Sequence, residues 1–270
     1  RIDHTPEHIN PKKFALTMGI KAAQHDHLLF TDADCLPSSN SWIREMAGKY
    51  QEKEGAEFVL GFSQYEKEPG FLNTFIRFET LLVGVQYLSF ALWGKPYMGI
   101  GRNLSYKKEA FFRIKGFLKH KHITGGDDDL FVNEAAKGKK TTIAILESTQ
   151  TTSIPKKTWA DWYHQKLRHL SVGKFYKTSD KILLGLFHSS HIGFYVMLLL
   201  SCLAQVPYYW ILGAFGLRFL SLLLVFQLIK DKIDKNFEVY LVPLMDILYI
   251  FYYIFVGIVA RTTKHISWTR

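Results

Sequence analysis

From Ile182 to Leu217 the chain carries no Asp, Glu, Lys or Arg, and that run limits the available folds more than any other feature. A helix needs about 20 apolar residues to cross roughly 30 Å of hydrocarbon, so the run has room for more than one crossing. Gln205-Val206-Pro207 supplies a turn inside it, and Tyr208-Tyr209-Trp210 follows like the aromatic belt of a membrane interface. The pattern predicts helices over 182–203 and 208–229 and, after a polar stretch from Lys230 to Glu238, a third over 239–260. Each run alone would also suit a buried soluble helix; three in succession favour membrane spans. Arg218 and Asp246 lie inside the second and third helices, where a lone charge is costly, so they are expected to pair or to face a polar cavity.

The net charge is +10 and 48% of residues are hydrophobic, which suits a basic surface facing an anionic partner beside a portion buried in lipid. Nucleic acid is not expected, because the basic residues cluster beside apolar runs and form no reading motif. Cys35 and Cys202 stand in unrelated settings, so neither a disulfide framework nor a zinc site is indicated, and a reducing compartment fits. The numbering opens on Arg1, so part of the site is expected to lie upstream of this window.

The first 180 residues read as α/β. Helical stretches over Phe14–Ala23 and Trp42–Lys53 alternate with apolar strands over Leu28–Thr31 and Phe58–Tyr65, a pattern that predicts a mostly parallel, Rossmann-like sheet. Thr80–Gly94 is uncharged but too short to span comfortably, so it is expected in the core or at the membrane interface.

Four segments carry candidate chemistry. Leu28-Leu29-Phe30-Thr31-Asp32-Ala33-Asp34 is an apolar strand ending in two carboxylates, and ligands of open α/β sheets bind at the carboxyl ends of strands. Alternation lets Asp32 and Asp34 face one side and hold a hard cation, although turn or capping aspartates are the plainer reading. Gly125-Gly126-Asp127-Asp128-Asp129-Leu130 places three carboxylates before a helix. One of them caps it; the others, crowded, raise each other's proton affinity, so one suits a general base. In Trp159-Ala160-Asp161-Trp162-Tyr163-His164-Gln165-Lys166-Leu167-Arg168-His169, helical spacing puts Trp159, Trp162 and Lys166 on one side and Gln165, Arg168 and His169 on another. That suits a membrane-surface helix whose aromatics enter the interface while Lys156, Lys157 and Lys174 meet headgroups and Arg168 reaches a diphosphate. Gly99-Ile100-Gly101-Arg102-Asn103 is a glycine-bearing turn suited to cradling phosphate or shaping an acceptor cleft.

The order of these features, Asp-x-Asp, Gly-x-Asn, Gly-Asp-Asp, Gln-x-x-Arg and then apolar helices, resembles family 2 glycosyltransferases of the GT-A fold. It is closest to bacterial membrane-anchored members and more distantly similar to hyaluronan and cellulose synthases. The resemblance implies an N-terminally incomplete GT-A catalytic domain over 1–155, an interface helix over 156–180 and transmembrane helices over 181–270. It implies Asp34 and Asp32 as ligands of Mg²⁺ or Mn²⁺ and of the nucleotide sugar, and Lys12, with Lys13 as alternative, on the nucleotide. Asp128, or Asp127 in the other register, becomes the catalytic base. Gln165, Arg168 and His169 match the Gln-x-x-Arg-Trp motif on the donor diphosphate; His169 replaces the Trp, which weakens an acceptor-stacking role and long processive synthesis. Gly101 and Asn103 fall on the acceptor side. The partners implied are a nucleotide-diphosphate sugar, a UDP-sugar first, a lipid or glycan acceptor, and membrane lipids. The implied setting is a bacterial inner membrane, with the catalytic half toward the cytoplasm where nucleotide sugars are found.

The reaction implied is an inverting transfer in which the metal and Arg168 offset charge on the departing diphosphate while the base takes the acceptor proton. A processive polysaccharide synthase is the nearer rival. A glycoside hydrolase would use two carboxylates without metal or membrane helices. A non-enzymatic anchor or transport subunit leaves both acidic clusters unexplained.

Overall fold

A computed structural model describes residues 4–263. The chain opens with helix α1 (Pro11–Ala22), strand β1 (His27–Phe30), strand β2 (Cys35–Pro37) and helix α2 (Trp42–Glu52). Strands β3 (Phe58–Gly61) and β4 (Ser63–Tyr65), helix α3 (Phe71–Leu92), strand β5 (Leu104–Lys107) and helices α4 (Lys108–Arg113) and α5 (Asp129–Ala135) follow. After β6 (Thr141–Ala144) and β7 (Thr151–Ser153) the remainder is helical: α6 (Trp159–Val172), α7 (Thr178–Leu203), α8 (Tyr208–Ile233) and α9 (Val242–Thr262). The basic tail beyond residue 263, which bears on the charge balance around α9, lies outside the described residues.

The strands form two mixed sheets, ordered β1-β5-β3-β6 and β2-β7-β4. In the larger sheet β5 runs antiparallel to both β1 and β3, and the β3–β6 pair is parallel. The expected mostly parallel sheet is therefore corrected to a mixed one. β5 was hidden in the sequence because it follows the Gly101–Asn103 turn directly and is only four residues long. The expected strand over 58–65 also divides. β3 is buried on every residue, as a central strand should be, whereas β4 joins the second sheet. The break falls at Phe62, whose carbonyl accepts from Asn103 Nδ2 at 2.7 Å.

α3 is longer than the sequence suggested because Arg77 and Glu79 interrupt its apolar run. Both are buried against distant partners. Arg77 Nη2 lies 2.7 Å from Asp234 Oδ2, with both side chains almost wholly out of water, and Glu79 pairs with Lys166 of α6. α3 is thus a fourth helix long and apolar enough to cross a membrane, but most of it is buried within the protein.

The core runs without a break from Phe58 and Phe131 through α3 to Tyr249, Tyr252 and Val256 of α9. Phe78 stacks on Phe226 of α8 at 5.5 Å, and Trp162 meets Tyr252 at 5.0 Å. Trp162, expected at the membrane interface, is only 4% exposed and packs on α3 and α9, while Trp159 is half exposed. Lys157 meets Glu68 at 2.7 Å. α7 and α8, by contrast, carry exposed Met197, Leu200, Leu203, Tyr208, Trp210, Leu217 and Leu220, an apolar surface suited to hydrocarbon rather than to water. Arg218 and Asp246 do pair, with Arg218 Nη2 at 2.8 Å from Asp246 Oδ2. Tyr195 at 2.7 Å and His191 at 3.0 Å complete the set, so one carboxylate ties α7, α8 and α9 together.

Removing one partner of a buried ion pair leaves an uncompensated charge, at a cost of about 3–5 kcal/mol. Asp234→Ala should therefore lower the thermal unfolding midpoint in detergent sharply, while the double variant Arg77→Met/Asp234→Leu should recover most of the loss. Equal midpoints for the single variant and the parent would show that the pair does not secure α8 to α3.

Candidate active site

Asn10 begins the site. Its side chain accepts from the backbone N–H groups of Lys12 and Lys13 and, with Pro11 next, starts α1 so that Lys12 stands on its first turn. Lys12 Nζ lies 2.8 Å from Asp127 Oδ2 and 3.4 Å from Asp32 Oδ1. One ammonium therefore joins the acidic end of β1 to the aspartate cluster before α5, two segments far apart in sequence. Burial alone would lower the proton affinity of Lys12; the charges of Asp127 and Asp32 outweigh it and hold the side chain firmly cationic.

Gly125 and Gly126 have φ of 83° and 77°, a left-handed turn that a side chain would strain, and this turn feeds the three aspartates into one corner. Asp128 caps α5, accepting from Asp129 N at 2.8 Å on Oδ1, and accepts from Gly101 N at 2.7 Å on Oδ2. A Cβ at Gly101 would come 3.2 Å from that same oxygen, so the glycine lets the backbone approach. Loss of water around Asp128 and the adjoining Asp127 charge push its carboxyl above the usual range, against the pull of Lys12 and the two backbone N–H groups. Asp129 is buried and pushed further up by that burial and by Asp128, and it accepts from Tyr176 OH at 2.9 Å.

α6 brings the next group. Gln165 Nε2 reaches Tyr65 OH at 3.4 Å, and half-buried Arg168 comes within electrostatic reach of Asp127, Asp128 and Asp32. His169 is exposed and lies in the field of Arg168, Arg102 and Lys12. Asp34 is exposed, and its neighbour Cys35 is buried with Sγ 2.9 Å from Ser153 Oγ. Tyr65 and Arg102, to which sequence reasoning gave no role of their own, stand between these groups, with the guanidinium 4.4 Å above the ring. The signal available for Arg102 was its place inside Gly-Arg-Asn.

Two candidate side chains have partners in the core. Asn103 is fully buried: Nδ2 donates to Phe62 O and Thr149 O at 2.7 Å, and Oδ1 accepts from Trp42 Nε1 at 3.2 Å. With both amide N–H groups and Oδ1 hydrogen-bonded in the core, it connects strands. Lys13, the alternative to Lys12, is buried with Nζ donating to His120 O at 2.6 Å and Ile123 O at 3.0 Å, which turns it away from any ligand.

Among the described residues no three His, Cys, Asp or Glu side chains cluster as a closed metal site. The open arrangement at the end of β1 still offers hard carboxylate oxygens: Asp34 faces solvent, and Asp32 is half-buried with only a long contact to Lys12. That donor set fits a Mg²⁺- or Mn²⁺-type ion whose remaining ligands come from a diphosphate and water.

Burial brings Lys13 down from the ordinary lysine value of 10.5 to about 8, against the pull of Asp127. Between those limits the folded chain binds fewer protons than the unfolded one, so this side chain makes stability rise with pH across that window. Lys13→Met should remove that part of the slope. A variant whose unfolding midpoint keeps a constant offset from the parent's across the window would contradict the assignment.

Comparison with known proteins adds the following. Residues 11–115 match the family model described as glycosyl transferase family 2. Solved structures that are similar include the mannosyltransferase PcManGT from Pyrobaculum calidifontis in complex with GDP-Man and Mn²⁺, at 14% identity and a TM-score of 0.49 over 92% of this chain. The chain spans 66% of that protein's length. No curated protein sequence matches.

Proposed function

We propose, from the match of residues 11–115 to the glycosyl transferase family 2 model, that the protein belongs to that family and is an inverting glycosyltransferase. It moves a sugar from a nucleotide diphosphate, UDP-sugars being the first donors to test, to a lipid or glycan hydroxyl in cell-envelope glycan or glycolipid synthesis. The α/β half with its mixed sheets is GT-A-like. The observation that carries the reading is the Lys12 ammonium between Asp32 and Asp127, because it puts both acidic segments on one cleft.

In this reading 1–155 is the catalytic domain, 156–180 the interface helix and 181–270 the membrane portion. Asp32 and Asp34 would hold Mg²⁺ or Mn²⁺, whose charge would offset that of the leaving diphosphate. Lys12, Arg168 and Gln165 bind and orient that diphosphate from the α1 and α6 sides. Asp128 takes the proton of the acceptor hydroxyl. Each of its oxygens holds one backbone N–H and keeps a lone pair, and its raised proton affinity suits a base. Asp127, ion-paired with Lys12, is the second choice for that role. Gly101 shapes the acceptor side by letting its N–H reach the base.

The membrane setting is supported by the apolar surfaces of α7 and α8. The loop between α8 and α9 is held against the catalytic half by Asp234–Arg77 at 2.7 Å and by Lys67–Glu238 at 2.7 Å. An α7–α8 hairpin then crosses and returns to the side of the carboxylates, the cytoplasmic side of a bacterial inner membrane, where nucleotide sugars are available.

In the full-length protein, Asp128→Asn should cut transfer by about 10²-fold or more while donor binding persists, and Asp34→Ala should lose metal-dependent donor binding. Measured by product formation and calorimetric titration, transfer at the parental rate by Asp128→Asn would remove the assigned base.

A further inference from the structure

We propose that Arg102 is a binding residue for a phosphate-type oxyanion carried by the substrates. The proposal rests on the glycosyltransferase reading and deepens it. Arg102 is held on both sides: Gly101 N–H is fixed to Asp128, Asn103 is locked in the core, and the Arg102 carbonyl accepts from Thr151 Oγ1 at 3.0 Å. The backbone cannot swing, so the side chain has a set origin beside the base.

From there the guanidinium lies over the Tyr65 ring at 4.4 Å. Stacking satisfies its face but leaves its edge, where all five N–H donors point outward, in need of oxygen acceptors. Nη1 is buried and has no hydrogen-bond partner. A buried charged donor left unmade is costly, and native folds keep one chiefly where a ligand completes it.

The three aspartates before α5 are engaged elsewhere. Asp127 faces Lys12, Asp128 faces two backbone N–H groups, and Asp129 faces Tyr176. Among the described residues none forms an ion pair with Arg102. A planar guanidinium edge matches a phosphate or carboxylate bidentately, which a neutral sugar hydroxyl cannot reproduce. Gln165 of α6 reaches Tyr65 OH at 3.4 Å, and Arg168 lies on the same helix within electrostatic reach of the cleft carboxylates, so α6 brings a second cation to this cleft. Two sources have this chemistry: the donor diphosphate, and a phosphate or carboxylate on the acceptor.

The test uses the full-length protein and its R102Q and R102K variants, titrated with pyrophosphate, with UDP and GDP plus Mn²⁺, and with inorganic phosphate added to nucleotide-saturated protein. R102Q should weaken pyrophosphate binding about tenfold or more, and R102K should restore part of it. A parallel loss for the nucleoside diphosphates assigns the oxyanion to the donor. Retained nucleotide binding with loss of the added phosphate assigns it to the acceptor. Unchanged binding of all four probes by R102Q, at the parental unfolding midpoint, overturns the inference. A parent that binds neither nucleotide overturns the glycosyltransferase reading instead.

Discussion

Gathering Asp32, Asp127, Asp128 and Asp129 in one corner sets an electrostatic problem that the surrounding structure has to solve, since adjacent carboxylates raise each other's proton affinity. The solution gives each a different partner. Asp127 and Asp32 take the Lys12 ammonium, Asp128 takes two backbone N–H groups, and Asp129 takes the Tyr176 hydroxyl and the Leu130 N–H. These partners come from α1, from the turn before β5 and from the segment entering α7. Segments otherwise far apart in the chain are thereby registered on one site. Asn133 of α5 extends the link, bonding Asp180 Oδ2 at 2.7 Å and Lys177 N at 3.0 Å at the start of α7. Asp128 and the start of α7 are thus separated by only a few hydrogen-bonded residues.

α3 has the complementary task of joining the sheets to the apolar helices. Phe75 and Phe78 face Trp162, Tyr252, Phe226 and Tyr249, while Tyr87 OH donates to Gly61 O at 2.6 Å on the sheet side. Each buried aromatic contributes about 1.5–3 kcal/mol of burial, with a further 0.5–1.5 kcal/mol where rings pair well. The pairs Arg77–Asp234 and Glu79–Lys166 add geometry more than net energy, because desolvation offsets most of their attraction. They fix which turn of α3 meets the α8–α9 loop and which meets α6. α9 then lies lengthwise against this surface, with Trp162 near Tyr252, Tyr163 near Phe255 and Lys174 Nζ 3.4 Å from Thr263 O.

Local signals were legible in the sequence where they did not depend on a partner. The charge-free run, the strand before Asp32, the glycine turn before Asp127 and the Arg218–Asp246 pair could all be read from spacing and cost. Strand direction could not, because β5 is as short as a turn and its antiparallel pairing is decided by β1 and β3. Nor could the length of α3: a charge inside an apolar stretch ends a span on paper, and only the neutralising partner, contributed from α6 or from the loop after α8, shows that the helix continues. The aromatic face of α6 was legible as a face, but apolar protein and lipid attract it alike. What chose between them was α9, far along the chain.

The same ambiguity separates neighbours within the site. Lys12 and Lys13 are both amines on the first turn of α1, yet one meets carboxylates and the other meets two carbonyls in the interior. Arg102 and Asn103 are both polar, yet both ends of the amide are hydrogen-bonded in the core while Nη1 of the guanidinium is buried unbonded. Residue type therefore names the chemistry a position can perform, and the count of its satisfied hydrogen bonds tells whether that chemistry has already been used by the fold. Lys13 and Asn103 spend their donors on backbone carbonyls of the core and hold the architecture. Arg102 does not, and it stands one residue from the amide that holds Asp128, with a buried donor that a negative group of a ligand would complete.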